Sequence, residues 1–289
     1  MRAIQQIAYV VLRVPDVEAT AAWYSRALGL QDSGDRDAGA VALSGSTFGP
    51  AIVLRPGSDT RLIGVGLTVA AGSIETVSAS LTHAGLTPTD IASVSGFGPG
   101  LRVTDAAGVS VELSEAPPPM SARPSPGVID LRKLSHATLR VPALDPAILF
   151  YTKALGFRVS DRLSDRFAWM RCNTDHHGVA VVADPASAGL HHVAFELAGW
   201  AEIKRACDHL HALGIPLEAG PLRHGPGQNI AIYFRDLNGV RIELTCEMEQ
   251  IYHDNDRPGH WPGQGTFNVW HDASAPPSWR EATPAVLDS

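Results

Sequence analysis

The chain has few cysteines, no long apolar run and no excess of basic residues. Its three cysteines, Cys172, Cys207 and Cys246, are odd in number and scattered. That excludes a disulfide framework and fits small core thiols in a reducing cytoplasm. No apolar run approaches the roughly 18 residues a membrane helix needs, so no membrane partner is expected. Lys and Arg number 23 against 30 Asp and Glu, a net charge of −7. With no basic stripe visible, nucleic acid is excluded as a partner. The opening segment lacks a small-residue cleavage site, so no signal peptide is expected. What remains, 45% apolar and 18% charged over 289 residues, suits a globular protein with one large or two ordinary domains. Twelve histidines raise the question of a metal.

What the sequence does have is repetition. IAYVVLRVP at 7–15, a strand, runs into a helix opened by Asp16 and closed by Gly29. A second strand at 63–69 precedes a helix over 72–85, with Ser73 as N-cap and Gly85 as stop, and a hairpin follows over 97–115. After the Pro/Ser-rich stretch 114–127 the pattern returns. LRVP recurs at 12–15 and 139–142, and Tyr-x-x-Ala-Leu-Gly at 24–29 and 151–156, both at an offset of 127. LIGVGLTV (62–69) returns as LHHVAFEL at offset 128, and TDAAGVSVEL (104–113) as RDLNGVRIEL at offset 131. The fold class expected is α+β: two tandem homologous domains, each of two βαβββ modules. The division is 1–116, a linker over 117–132, a second domain over 133–247, and an irregular aromatic-bearing tail over 248–289.

Comparing the copies separates fold residues from site residues. Where both copies agree, the fold suffices as explanation. Where they differ in chemical type, His136 stands opposite Tyr9, His192 opposite Gly64, and Tyr233 opposite Arg102, while Glu243 faces its like in Glu112. Each residue alone has a blander reading, a strand His or an outward Glu. Together, two His and one carboxylate on inward strand faces make the facial triad that holds non-haem Fe(II) and leaves positions open. The first copy lacks both His, so it is expected to be structural, completing the fold and an oligomer interface.

The stretch 224–243 carries a further pattern: His224, then Ile232-Tyr233, Asp236, Gly239 and Glu243. This resembles the signature of type I extradiol (catechol 2,3-type) ring-cleaving dioxygenases of the vicinal oxygen chelate superfamily. It departs at Leu237, where a Pro is usual, and at Leu222; neither removes a chemical group. The resemblance spans 1–247 in architecture and 134–244 in motifs. It implies metal ligands His136, His192 and Glu243, with His191 facing away. It also implies a catalytic His177, chosen over His176 in HHGVA, and His224 and Tyr233 as hydrogen-bond partners of the substrate's oxygens. It further implies Fe(II), with Mn(II) accepted by the same ligand set, O2 as co-substrate, a small catecholic substrate, cytoplasmic location and a homo-oligomer.

Two other readings compete. A glyoxalase- or epimerase-type enzyme of the same superfamily leaves His177, His224 and Tyr233 unexplained. A metal-free, ligand-sequestering binding protein on the same fold needs no ligand triad. The pocket walls are expected near Phe167, Trp169, Phe195 and the tail, which either covers the site or wraps the surface.

Overall fold

In the computed structural model, residues 3–34, 39–92, 97–116, 129–253, 258–263, 266–270 and 274–280 are described. Most of the expected linker, 117–128, lies outside them. The first module is β1 (Ile4–Val14), α1 (Val17–Leu28), β2 (Gln31–Asp32), β3 (Val41–Ser44) and β4 (Pro50–Pro56). The second is β5 (Arg61–Val69), α2 (Ile74–His83), β6 (Thr89–Ile91), β7 (Gly100–Thr104) and β8 (Ser110–Glu115). The third comprises β9 (Lys133–Val141), α3 (Leu144–Leu149) continued by a π-turn over Phe150–Ala154, β10 (Arg158–Leu163), β11 (Phe167–Arg171) and β12 (Val179–Ala183). The fourth comprises β13 (Gly189–Glu196), α4 (Trp200–Ala212), β14 (Leu217–Arg223), β15 (Ile230–Arg235) and β16 (Arg241–Cys246). Four βαβββ modules are therefore present, as the repeat predicts.

Local chemistry sets the helix ends. Asp16 accepts a hydrogen bond from the Ala19 amide, and Gly29 closes α1 in the left-handed region at φ 70°. Such a cap is worth about 1 kcal/mol. Ser73 stands at the N-cap position of α2, but its side chain makes no capping bond. The chain through Ser114 and Glu115, placed in the Pro/Ser-rich stretch by composition, is the end of β8.

Modules pair through their first strands. β1 runs antiparallel to β5 in an eight-stranded sheet ordered β2-β3-β4-β1-β5-β8-β7-β6. β9 and β13 do the same in a nine-stranded sheet, whose last member is β17 (Gly259–His260), a short strand from the tail. These central strands are largely buried on both faces. In β1, Val10, Leu12 and Val14 pack in the main core, while Tyr9 and Val11 join a second cluster with Ala42, Val53 and Phe97. In β9, Ala137, Leu139 and Val141 repeat the first arrangement. The other face carries His136, Thr138 and Arg140, buried but polar. Each large side chain so buried contributes roughly 1.5–3 kcal/mol. The first sheet's inner face is thus largely apolar around a Tyr9–Glu112 pair, while the second's carries a row of polar side chains.

The copies are tied crosswise. Tyr24 on α1 donates to Asp236 Oδ2 at 2.9 Å, in the turn between β15 and β16. Tyr151 in the π-turn donates to Asp105 Oδ2 at 3.3 Å, in the turn between β7 and β8. Each Asp also closes its own turn through Oδ1, Asp236 with the amides of Asn238 and Val240, Asp105 with those of Ala107 and Val109.

Candidate metal centre and substrate cavity

β9, β13 and β16 place three side chains on one inner face. Strand alternation sends Ile242 and Leu244 into the core and turns Glu243 inward. Across the sheet, His136 Nε2 lies 3.2 Å from Glu243 Oε2 and 3.2 Å from His192 Nε2. His192 Nε2 lies 3.1 Å from the same carboxylate oxygen. Three donor atoms thus form a nearly equilateral triangle. Ligands about 2.1 Å from a metal and set at right angles stand about 3 Å apart, so this triangle has the size of one octahedral face.

The protonation chemistry agrees. Both histidines use their other ring nitrogen elsewhere, His136 Nδ1 beside Ser135 Oγ and His192 Nδ1 beside His191 Nδ1, leaving Nε2 for the centre. Burial pushes His192 down to about 4, against the opposing pull of Glu243. Burial pushes Glu243 up, but the charge of His136 and the hydrogen bonds of both histidines outweigh it and hold the carboxyl well below its usual range. A neutral imidazole and an ionised carboxylate are the metal-binding forms. His136, His192 and Glu243 therefore fit a divalent metal.

The centre lies in a cavity of about 590 Å³, a size typical of small-molecule sites. His177, His224 and Tyr233 all line it. His177 occupies the loop before β12, with its ring centroid 4.2 Å from that of His136. His176, behind it, does not line the cavity. His224 Nδ1 donates to the Phe267 carbonyl at 2.9 Å, so in the neutral ring Nε2 is bare and accepts from the Tyr233 hydroxyl at 2.6 Å. Burial lowers His224, and burial with the Glu243 charge raises Tyr233 well above the ordinary phenol value.

Two expectations are corrected. His191 does not face away; it lines the cavity beside His192. The β13–β9 register skips a residue between Leu190 and His192, and that bulge breaks the alternation that would have turned His191 outward. Phe195 is not a wall: it lies in the core with Val193, two residues before it on the strand, where β13 pairs with β16 without interruption. Phe167 and Trp169 do line the cavity, their rings stacked at 4.2 Å.

The tail covers the site. Its 3-10 turn, Pro277–Arg280, is held by arginines: Arg140 donates to the Trp279 carbonyl, and Arg235 and Arg241 to that of Ser278. The Trp279 ring packs 4.7 Å from Tyr233, 4.9 Å from Phe267 and 5.0 Å from His191.

Sequence reasoning missed Asn229 and Trp279. Asn229 Nδ2 donates to Glu243 Oε1 at 3.1 Å and to Thr245 Oγ1 at 2.7 Å, orienting the ligand carboxylate. It stands 131 residues after Gly98, so the comparison of copies could have flagged it. Trp279 lies outside the repeat and had no such signal.

The first copy shows what replaces the centre. Tyr9 pairs in register with Gly66, and a Cβ on Gly66 would lie 2.1 Å from the Tyr9 ring. Tyr9 donates to Glu112 Oε2 at 2.9 Å, and Arg102 pairs with Oε1 at 2.7 Å. Both oxygens of Glu112 are thereby engaged.

Known proteins resemble this chain in sequence and in fold. The biphenyl-2,3-diol 1,2-dioxygenase of Paraburkholderia xenovorans (strain LB400) is 25% identical over 284 residues, 90% of this chain and 95% of that one. The metapyrocatechase of Pseudomonas sp. (strain CF600) is 30% identical over 147 residues, 48% of each chain, so the match spans about half the length of that relative. Among solved structures, the complex of homoprotocatechuate 2,3-dioxygenase from Brevibacterium fuscum with 3,4-dihydroxyphenylacetate superposes with TM-score 0.88 at 25% identity, covering 99% of this chain and 95% of that one. The Mn(II)-bound glyoxalase from Novosphingobium aromaticivorans gives 0.86 at 26%, covering 99% and 97%. A family model matches twice, over residues 6–126 and 133–244, and the chain belongs to the glyoxalase/bleomycin resistance protein/dioxygenase superfamily.

Proposed function

We propose that the chain is an extradiol dioxygenase, opening the ring of a catechol next to its two hydroxyls and adding both atoms of O2. One observation carries this reading: the His136–His192–Glu243 face shares a cavity with the Tyr233–His224 pair and with His177. His136, His192 and Glu243 would hold an Fe(II), or Mn(II), which when bound would offer open coordination positions and the redox chemistry that couples a catechol to O2.

The remaining roles belong to the chain. A catechol binds as a monoanion, so one hydroxyl must lose its proton. Tyr233 is held as a neutral phenol and passes a proton on; the bare Nε2 of His224 accepts it. The Phe267 carbonyl fixes the His224 tautomer that makes this direction available. His177, on the wall formed with His136, holds or delivers a proton on the oxygen side. Phe167, Trp169, Phe267 and Trp279 exclude water and stack on an aromatic ring. Homo-oligomerisation belongs to the same reading and is checked by light scattering.

The decisive experiment is an aerobic assay of the Fe(II)-loaded protein on a panel of catechols, following near-UV/visible absorbance and O2 uptake. One O2 consumed per yellow semialdehyde-type product is expected. Product formed without O2 would sink the dioxygenase reading. It would favour an isomerase of the glyoxalase kind, the reading that the likeness to the Mn(II)-bound glyoxalase supports.

A further inference from the structure

Behind His177 runs a chain of polar groups that the proposed reaction leaves unassigned. His177 Nδ1 lies 3.0 Å from His176 Nδ1. His176 Nε2 lies 3.1 Å from Asp161 Oδ2. The same oxygen accepts from the Trp261 indole Nε1 at 2.7 Å. Trp261 follows β17, which pairs with β10 at Asp161↔Gly259. A Cβ on Gly259 would lie 2.2 Å from Asp161 Oδ1, so the tail backbone closes on this carboxylate only because residue 259 is glycine. Gly225 and Gly227 do the same from the other side: a Cβ on Gly225 would lie 2.5 Å from the Trp261 ring, and one on Gly227 3.0 Å from His176 Nδ1. The HGPG stretch after β14 is thus shaped around this chain of groups. His176 and His177 are both buried.

The hydrogen-bond directions follow from donor chemistry. A carboxylate only accepts, so His176 Nε2 carries a proton and donates to Asp161. A singly protonated His176 then has a bare Nδ1. Two facing ring nitrogens share one proton, so His177 Nδ1 donates to it. In neutral His177 the bare nitrogen is Nε2. We infer that Asp161 and His176 are positioning residues that fix His177 as its Nδ1–H tautomer, leaving an unprotonated Nε2 for the substrate cavity. The tail, through Trp261 and Gly259, holds the far end of this chain. The consequence for turnover rests on the dioxygenase reading: His177 begins the cycle as a proton acceptor, and any proton it later delivers is one it has taken up.

The test separates the two. In the full chain labelled with 15N-histidine and loaded with diamagnetic Zn2+, long-range 1H–15N spectra report each ring's tautomer. His177 is expected as Nδ1–H with a bare Nε2, and His176 as Nε2–H. A His177 protonated on Nε2, or a doubly protonated His176 that reverses the chain, overturns the inference, and neither measurement involves a substrate. His176→Phe should scramble the His177 tautomer, and should lower kcat by about 10–100-fold, as loss of an orienting partner does, with KM and metal content unchanged. His176→Gln, whose carbonyl can accept from His177 and whose amide can donate to Asp161, should restore both the tautomer and kcat. A tautomer indifferent to His176→Phe refutes the positioning role. A correct tautomer in a protein that cleaves no catechol refutes the dioxygenase reading instead.

Discussion

Asn229 offers a sharp test of how the centre is organised. Its amide holds Glu243 Oε1, leaving Oε2 to face both histidines. Asn229→Ala removes the donor without touching a ligand. Glu243 can then rotate, and a partner that orients a ligand typically changes metal affinity by about 10–100-fold, or about 1.4–2.7 kcal/mol. A second cost falls on the protein itself, because Thr245 Oγ1 loses the bond it accepts from Asn229; a buried hydrogen bond lost this way costs about 1–3 kcal/mol. The two costs are separated by measuring metal binding directly. Anaerobic titration calorimetry with Fe(II) or Mn(II) should show the Kd of Asn229→Ala raised by one to two decades at unchanged stoichiometry. Urea unfolding of the metal-free protein reports the second cost. A Kd equal to that of wild type would refute the claim that Asn229 orients the ligand, and Glu243 would then owe its position to strand geometry alone.

The other expectations follow the same geometry. His192→Ala should abolish metal binding and ring cleavage together, measured by metal analysis and O2 uptake; activity surviving without bound metal would contradict the triad. His177→Phe should keep the metal and slow the oxygen-dependent steps by about 10²–10⁴, read by single-turnover kinetics; unchanged turnover would remove it from the reaction. Asp236 is pushed up to about 6 by burial, against the bonds it accepts from Tyr24 and the turn amides. A carboxyl raised in the folded state favours folding below its unfolded value, near 3.8, and loses that contribution as pH rises through about 6. The loss amounts to roughly 3 kcal/mol. Denaturant unfolding should show this slope between about pH 4 and 6 in wild type and its disappearance in Asp236→Asn.

How much of this could be read from the sequence depended on what the repeat recorded. The offset of 127 fixed both modules and the Tyr9/His136 contrast, and the Glu112/Glu243 match marked Glu243 as a fold position put to new use. Strand alternation placed Glu243, Arg241 and Ile242 correctly, because β16 pairs with β15 without interruption. Alternation failed at His191 because a bulge is a property of pairing between strands, and one strand's sequence does not contain it. The tail was illegible for another reason. Its contacts are single long-range ones, Trp279 on Tyr233 and Trp261 on Asp161, with no periodicity to announce them. The crosswise ties were visible as conserved letters, Tyr in Tyr-x-x-Ala-Leu-Gly and Asp in the hairpin turns, but nothing in either copy said that each Tyr reaches the other copy's Asp.

Those crosswise ties give the first half a part in positioning the His136–His192–Glu243 group, which among the described residues has no counterpart in that half. The turn carrying Asp236 joins β15 to β16, the strands that hold Tyr233 and Glu243. Its outer end is gripped by Tyr24, and Asn238 in the same turn donates to Thr20 at 2.9 Å, both partners lying on α1. Trp23, also on α1, packs against Phe234 with ring centroids 6.4 Å apart. The helix of the first module therefore braces, from behind, the hairpin whose inner face supplies a ligand and a hydroxyl. In the first copy the inner face is instead filled by Tyr9, Val11 and Phe97. Tyr24→Phe removes one brace and leaves the ligands untouched. If the bracing argument holds, it should weaken metal binding in the other half while His136, His192 and Glu243 all remain. An unchanged Kd would show that the second sheet positions its centre without help from the first.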